Sequence, residues 1–403
     1  MSVIAESAHR SNTSVWVAFI LLILGTIGAY QIVGVTQALL FLIGGALGMT
    51  LYHASFGFTS SWRVFIKERR GRGLRAQMIM LALAVLLFFP ALGAGELFGN
   101  PVKGNLNPVS MSVMIGAFIF GIGMQLGGGC ASGTLYTVGS GSARMIITLI
   151  FFCLGSLIAT SHIQWWFDLP HFAPISLVES FGVAPALLFN FVLFAAIAAA
   201  TVYFEKKRHG SLEIEPKSEH QGWKRFIRGP WPLIWGGIIL TLLNFATLAL
   251  AGRPWGVTSA LAVWAAKGAT LVGVDVTAWD YWQKPANAKA LAESLWFDVT
   301  SMMNFGIMIG ALFAASLAGK FAPNFKIPAR SIAAAVIGGL LLGYGARLAY
   351  GCNIGAYFSG IASGSVHGWL WLVFAFIGNG IGVKLRPIFF PGEKPQPEKL
   401  TGC

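Results

Sequence analysis

The chain has 403 residues, of which 56% are hydrophobic and only 11% charged, and its mean hydropathy is +0.69. Soluble domains carry roughly 25% charged residues, so this composition excludes an ordinary soluble domain and predicts an integral membrane protein surrounded by lipid. The net charge is +13, but Lys and Arg lie in short loops between apolar runs. That pattern is typical of membrane topology signals and argues against nucleic-acid binding.

Apolar runs close to the roughly 20 residues that cross a bilayer recur along the chain. The polar segment before the first run has no basic n-region and no small-residue cleavage site, so the first run is expected to be a retained helix. The sequence predicts ten spans, at 15–30, 35–52, 76–95, 109–127, 143–161, 182–203, 232–250, 299–319, 331–349 and 367–386.

Charged loops predict how these spans are oriented. Three segments, 62–75, 205–230 and 320–330, are rich in Lys and Arg and are expected in the cytoplasm. Ten spans with both termini in the cytoplasm satisfy all three placements. The predicted organisation is a membrane repeat with an extra first span, a cytoplasmic linker, a second membrane repeat and a cytoplasmic tail, at 1–204, 205–230, 231–388 and 389–403.

Two short motifs recur in the same order in each half. "HASFGFTSSW" at 53–62 aligns with "GRPWGVTSAL" at 252–261, and "GIGMQLGGGCASGTLY" at 121–136 aligns with "GYGARLAYGCNIGAYF" at 343–358. The span before the first motif runs outside to inside and the span before its counterpart runs the other way. The halves are therefore expected to be inverted repeats, an arrangement typical of transporters.

Four segments are too short to cross the membrane. "ASGTLYTVGSGS" and "NIGAYFSGIASGS" follow the two Gly-Cys elements, and "FGFTSSWRVF" and "WGVTSALAVW" follow the other motif. Irregular backbone at membrane depth is tolerated where protein buries it or where it lines a wet cavity. The fold class predicted is thus an all-α polytopic membrane protein whose inverted repeats add short re-entrant half-helices that line one central path.

The two repeated cysteines, Cys130 and Cys352, are the main candidate site residues. At the start of a half-helix a thiol meets unpaired N–H groups and the positive end of the helix dipole, which favour anions. A thiol held as an S–H donor there suits a soft, sulfur-bearing anion. Two small buried hydrophobes, or a disulfide between the pair, remain alternatives. Cys153 is expected to be a buried apolar residue, and Cys403, in the tail, is expected to have no role in a pore.

The other candidates surround the two repeated motifs. Arg347 lies inside an apolar span, where a charge is costly and usually functional; it either attracts an anion or pairs with a carboxylate. His53 and His367 are expected to be interfacial or packing histidines. Turn glycines and hydroxyl groups complete the predicted binding set, namely Gly128, Gly129, Gly351, Gly57, Thr59, Ser60, Thr258 and Ser259.

At these motifs the chain resembles the YeeE/YedE family of bacterial inner-membrane proteins, over roughly residues 35–160 and 232–387. The resemblance implies a transporter that takes up thiosulfate through S–H contacts with cysteines and delivers it to a small TusA-like sulfur carrier. Cys130 and Cys352 match the two central family cysteines. A third family cysteine falls at Gly57, a departure that favours the YedE branch and a related sulfur or selenium species.

A permease for a small sulfur-containing anion is therefore the leading hypothesis, with no cofactor expected. A membrane thiol–disulfide enzyme is an alternative, but the sequence has no Cys-x-x-Cys motif and no quinone or haem signature. A membrane anchor for a cytosolic partner on the basic segments is another. No nucleotide-binding motif is present, so an ATP-driven mechanism would need a second chain.

Overall fold

The computed structural model of the protein describes residues 12–215 and 220–392. Cys403 and the end of the predicted tail lie outside these residues. The helices of the first half are α1 Asn12–Ile32, α2 Val35–His53, α3 Phe58–Glu68, α4 Arg72–Ala94, α5 Met111–Gly127, α6 Ala131–Gly139, α7 Ala143–Thr160, α8 Ile163–Phe167, α9 Leu177–Phe181 and α10 Val183–His209. Those of the second half are α11 Gly222–Arg228, α12 Leu233–Ala251, α13 Thr258–Leu271, α14 Asp280–Gln283, α15 Pro285–Ala292, α16 Val299–Leu317, α17 Ala329–Leu348, a π-helix Asn353–Ser359, α18 Gly360–Ala362 and α19 Val366–Phe389.

Strands are few and very short in the described segments. β1 (Glu96–Leu97) pairs with β2 (Asn100–Pro101), and β3 (Val109–Ser110) pairs with β4 (His171–Phe172), both antiparallel. Ten helices of this part of the chain are long and apolar enough to cross a membrane. The prediction of an all-α polytopic membrane protein is therefore confirmed.

Two loop predictions need adjustment. The predicted basic segment 62–75 is mostly helical, because α3 runs on to Glu68 and α4 begins at Arg72. Helix α10 also continues five residues into the predicted linker and ends in Lys206, Lys207, Arg208 and His209. Basic side chains stabilise the negative end of the helix dipole there, and Gly210, with φ 72°, ends the helix.

Each of the four predicted short segments forms a helix beside its motif. Helix α6 starts after Cys130, the π-helix after Cys352, α3 after Gly57 and α13 after Val257. The segment after Cys352 departs from the regular α-helix expected of a half-helix, since its first seven residues are π-helical. Such turns are frequent at functional sites.

Helices of one half pack mainly against helices of the other. The closest pairs are α2 with α16, α7 with α17, α5 with α19 and α5 with α17. Glycines allow backbones to meet at these seams: a Cβ on Gly48 would overlap the Ile307 carbonyl, and one on Gly343 would overlap the Phe152 carbonyl. In the alignment of the two halves, α5 corresponds to α17 and α7 corresponds to α19. The α5–α19 pair is therefore the counterpart of the α7–α17 pair.

A buried carboxylate fixes one end of the bundle. Glu205, near the end of α10, is 0% exposed and accepts hydrogen bonds from Arg75 Nη1 at 2.7 Å and from the backbone N–H groups of Gly71 and Glu213 at 3.1 and 2.7 Å. Arg70 adds a second ion pair at 3.4 Å. These contacts join the turn between α3 and α4 to the end of α10.

The ends of the spans define two faces. Chain connectivity places the α3–α4 turn, the end of α10 and the α16–α17 loop together on one face, called here the basic face. The α4–α5 and α13–α16 connections, with the end of α12, lie on the opposite face. The short helices lie between these faces, next to the largest buried hydrophobic cluster, which contains both Cys130 and Cys352.

Candidate functional site

Cys130 caps the start of the first short helix. Its Sγ accepts a hydrogen bond from the Gly133 N–H at 3.5 Å and lies 3.4 Å from Ser132 Oγ, and the residue is 3% exposed. Sulfur therefore takes the place that a Ser or Asp oxygen usually occupies at a helix N-terminus. The thiol is held where the N–H groups of α6 converge, as the sequence predicts.

Cys352 caps the second short helix in the same way and is fully buried. Its Sγ accepts a hydrogen bond from the Ile354 N–H at 3.4 Å. The backbone N–H groups of Gly355 and of Ala131, the first residue of α6, lie close enough to influence this sulfur electrostatically. The two short helices, one from each half, thus present their N-termini to one small region. Among the described residues Cys130, Cys352 and Cys153 are free cysteines, so no disulfide joins Cys130 to Cys352.

Two of the predicted turn glycines have backbone conformations that other residues rarely adopt. Gly128 has φ 94° and Gly351 has φ 153°. A Cβ on Gly351 would lie 2.7 Å from the Ala356 nitrogen, and one on Gly128 would lie 2.5 Å from Arg144 Nη1. Gly129 is ordinary in φ, but a Cβ there would still be within 3.3 Å of the α6 backbone. These turns place each thiol at its helix.

Asn353 and Tyr357 are candidate site residues that the sequence analysis missed. Both are 0% exposed, and neither the Asn353 amide nor the Tyr357 hydroxyl has a hydrogen-bond partner among the described residues. A buried polar group without a partner is costly, so it calls for an explanation. The repeat could have identified them, because Asn353 and Tyr357 are polar where the aligned residues of the first half, Ala131 and Leu135, are apolar.

An aromatic cluster surrounds the second short helix. Tyr357 stacks on Trp371 with ring centroids 6.2 Å apart, and Phe58 and Trp62 of α3 meet the Tyr357 ring edge-on at 6.0 Å. The indole N–H of Trp371 is buried and has no acceptor within the described segments. Hydroxyl, indole and amide N–H groups are donors that suit an anion stripped of water.

The segment around Gly57 lies against the first Gly-Cys element. Gly57 is buried before α3, and Ser60 Oγ donates to its carbonyl oxygen at 3.2 Å. The carbonyl of Thr59 accepts from Gln125 Nε2 at 3.1 Å, while the buried Thr59 Oγ1 has no partner in the parts described. Gln125 also donates to Asn379 at 2.9 Å, as expected for a residue that joins helices.

A cavity of about 760 Å³, called here the opposite vestibule, opens on the opposite face and reaches Gly351 and Gly355. Arg347 at its wall donates to Thr258 Oγ1 at 2.8 Å and to the Tyr281 hydroxyl at 3.0 Å. No ion pair with a carboxylate involves Arg347 in the described residues. Its neutral partners leave the guanidinium charge uncompensated, which favours an anion. The vestibule is lined by the cationic residues Lys103, Arg253, Lys284 and Arg347.

Ser259 belongs to the same wall. Its Oγ donates to Thr300 Oγ1 at 3.2 Å, and Arg253 Nη2 donates to that same oxygen at 3.1 Å. The predicted Thr258 and Ser259 thus lie at a mouth, whereas Gly57 and Thr59 are buried within the protein. The predicted residues therefore do not surround a single binding site. They lie at different depths, from the opposite vestibule to the buried thiols.

A second cavity, of about 440 Å³, opens on the basic face and is called here the basic vestibule. It is bounded by the end of α2, the α6–α7 turn, the end of α11 with the loop that follows it, and the α16–α17 loop. No carboxylate lines either vestibule within the described ranges, and no cluster of three or more His, Cys, Asp or Glu side chains there has the arrangement of a metal site. The basic vestibule is lined by the cationic residues Arg144, Arg228, Lys320 and Lys326.

Comparisons with known proteins agree with this geometry. A family model described as sulphur transport matches residues 53–381. The chain is 28% identical over 350 residues to the thiosulfate transporter TsuA of Spirochaeta thermophila, which covers 84% of this chain and 95% of that protein. It is 25% identical to TsuA of Escherichia coli, over 83% of this chain and 90% of that protein.

A further match is to a probable transporter, YedE of Escherichia coli. The identity is 35%, over 40% of this chain and 39% of that protein. The YeeE/YedE resemblance inferred from the Gly-Cys motifs is therefore confirmed. The placement nearer the YedE branch stays a prediction, since both kinds of relative match.

Proposed function

This chain belongs to the sulphur transport family, whose members are transporters and not enzymes, and we propose from that premise that it is a permease for a small sulfur-containing anion. Relatives that align along most of the chain are named thiosulfate transporters. Thiosulfate is therefore the first substrate to test, followed by related sulfur and selenium anions, because Gly57 stands where the family resemblance implies a third cysteine.

The observation that carries the proposal is the position of Cys352, whose sulfur accepts a hydrogen bond at the start of the second short helix and lies close to the start of the first. A helix N-terminus attracts anions through its unpaired N–H groups and its dipole. The S–H group adds a soft, weak donor that suits a terminal sulfur atom. Contacts of this kind require no covalent bond and no change of oxidation state.

The donors near Cys352 complete this proposed site. The Asn353 amide, the Tyr357 hydroxyl and the Trp371 indole N–H replace water around the anion, and no full positive charge is needed there to trap it. Cys130 at the other short helix provides the second thiol contact. Passage between the two thiols makes the cysteines a relay, with Gly128, Gly129 and Gly351 shaping its turns.

The two vestibules support the same function. Each is lined by four cationic residues and no carboxylate in the described residues, so each raises the local concentration of anions. Arg347, Thr258 and Ser259 receive the anion at the opposite vestibule, which we assign to the outside. Thr59 and Ser60 lie on the path toward the basic face, which we assign to the cytoplasm of a bacterial inner membrane, with both termini on that side.

The two halves are inverted repeats in this proposal. The packing of the helices supports it. The α5–α19 pair has its counterpart in the α7–α17 pair, and the α5–α17 pair joins two helices that are each other's counterparts. A TusA-like sulfur carrier is the proposed cytoplasmic partner. The basic segments 62–75 and 205–230 give it a surface of opposite charge if the carrier is acidic.

Uptake of radiolabelled thiosulfate tests the function. The host is a bacterium that lacks its own thiosulfate transporters, and matched cultures express the wild type, Cys130→Ser, Cys352→Ser and Cys153→Ser at equal membrane levels. We expect the first two substitutions to lower uptake at least 10-fold, because Ser lacks the polarisable sulfur. Cys153→Ser, in α7, should stay within twofold.

Two results would contradict parts of this proposal. Wild-type uptake in the Cys130→Ser, Cys352→Ser double variant would rule out the relay. Wild-type protein that takes up neither thiosulfate nor a related sulfur or selenium anion would rule out the function itself.

A further inference from the structure

The basic vestibule contains a histidine whose surroundings differ from those of the mouth on the opposite face. His53, the last residue of α2, lines the cavity but is only 2% exposed. Neither of its ring nitrogens has a hydrogen-bond partner among the residues described. An imidazole always carries at least one N–H donor, so a buried donor at this wall is left without an acceptor.

The His53 ring is fixed in place by its neighbours. Trp231 lies against it with ring centroids 5.1 Å apart, and the Trp231 backbone N–H donates to the His53 carbonyl at 2.7 Å. The aligned position in the other half is Gly252. This histidine therefore distinguishes the basic vestibule from its counterpart.

Within the described part of the chain, the charged side chains that line the cavity with His53 are all positive. Lys320, from the α16–α17 loop, is close enough to act electrostatically on the ring, and Arg144, Arg228 and Lys326 line the same cavity. Hydroxyl groups also line the wall, but those of Ser55, Thr137 and Ser140 donate to backbone carbonyls. Because the charged side chains that line the cavity are cations, the ligand they favour is an anion.

Helix α6 separates this cavity from the thiols. Cys130 lies at the N-terminus of α6, while Thr137 and Ser140, at its C-terminal end, line the vestibule. Nine helical residues span roughly 13 Å, so the vestibule is a separate place and not part of the thiol site. An anion that moves along α6 goes from the positive end of the helix dipole to the negative end, and the vestibule cations offset that loss.

We propose that the basic vestibule is a second anion site, specific for a small divalent oxyanion, with His53 as its buried donor and Lys320 as its principal charge. A volume of about 440 Å³ is at the small end of ligand pockets, which fits a tetrahedral oxyanion with some of its water. The occupant is either the transported sulfur anion on its way out or inorganic phosphate from the cytosol. The first of these rests on the proposed function, whereas the second does not.

Titration calorimetry on the purified full-length protein in detergent tests the site. The background is the Cys130→Ser, Cys352→Ser double variant, which removes the thiol contacts but leaves every vestibule residue unchanged. Thiosulfate and inorganic phosphate are the two probes. We expect this background to show an anion-binding event that His53→Ala weakens at least 10-fold and Lys320→Gln at least threefold, which separates it from any binding at the opposite vestibule.

Lys320→Gln keeps the test decisive if His53→Ala disturbs the fold, because Lys320 is exposed. Lys289→Gln, an exposed lysine of α15, is the matched control and should bind like the background. Tighter binding of thiosulfate identifies an exit site, and tighter binding of phosphate identifies a cytosolic effector. A background protein that binds neither probe, or Lys320→Gln and His53→Ala proteins that bind both unchanged, would overturn the proposal.

The result is independent of the uptake experiment. Intact wild-type uptake with no binding in the double variant would refute the vestibule site and leave the permease standing. Binding of phosphate by a protein that transports no sulfur or selenium anion would support the vestibule site and refute the permease function.

Discussion

Each residue type near the thiols has a distinct physical task. Cys352 and Cys130 replace oxygen caps at two helix starts, which leaves a soft atom where hard donors converge. Gly351 permits the turn before Cys352, because its φ of 153° and the Ala356 nitrogen exclude a side chain. Asn353, beside that turn, carries an amide with no partner in the described segments. Its donor character is the feature most readily tested by a single substitution.

Asn353→Asp changes the charge of this group at almost constant shape. If Asn353 donates to an anion, a carboxylate there repels the substrate, and we expect thiosulfate uptake to fall more than 10-fold at equal membrane levels of the protein. Asn190→Asp is the matched control. Asn190 is equally buried, but its amide nitrogen donates to the Ala186 carbonyl and its amide oxygen accepts from the Trp369 indole N–H. A larger loss of uptake in the control would contradict the assignment.

At the scale of elements, the sequence predicts the short helices but not their details. The Gly-Cys-x-x-Gly and aromatic-Gly-x-Thr-Ser motifs locate all four starts, since Gly and small caps are local signals. The π-helical turn at Asn353–Ser359 could not be predicted, because it depends on packing around Tyr357. Unpaired donors escape prediction for the same reason: hydrogen-bond pairing is a property of the folded neighbourhood.

Glu205 illustrates how a single side chain can connect elements. It receives two guanidinium groups and two backbone N–H groups while fully buried. Because Gln would set an N–H group against these donors, Glu205→Gln should lower the free energy of unfolding by about 2–4 kcal/mol. Thermal unfolding of the detergent-solubilised protein, followed by tryptophan fluorescence, would then show a Tm lower by several degrees.

The exposed pair between Glu215 and Arg225 is the control for that measurement. Its N–O distance is 3.0 Å, but the Glu215 side chain is 45% exposed, and such pairs contribute about 1 kcal/mol or less. Glu215→Gln should therefore leave Tm nearly unchanged. Equal Tm shifts for the two variants would show that the buried contacts of Glu205 stabilise the protein no more than an exposed ion pair does.

For the whole molecule, hydropathy was sufficient to predict ten spans with ends close to those observed, because each span must match the thickness of one bilayer. Loops were predicted less well: the helices α14 and α15 lie between predicted spans, where no periodic apolar pattern marks them. The orientation of the spans is still a prediction from loop charge. It places Lys284 outside and Lys320 in the cytoplasm.

Labelling from one side of the membrane tests this orientation. Lys284→Cys and Lys320→Cys are each placed in a variant whose four native cysteines are replaced by Ala. On intact spheroplasts, a membrane-impermeant maleimide should label Lys284→Cys but reach Lys320→Cys only after permeabilisation. A permeant maleimide that labels both equally is the control, and the reverse pattern would invert the topology.

The interleaving of the two halves restricts how the protein can move. Transporters that rock move one repeat or bundle as a rigid body against another. Here the seams at Gly48 with Ile307 and Gly343 with Phe152 join opposite halves with no space for a methyl group, so rotating one half would have to separate both. We therefore expect a stationary frame in which only side chains and short helices shift. In such a frame no empty carrier would need to return, and we expect turnover to be limited by passage past the buried thiols rather than by a resetting step.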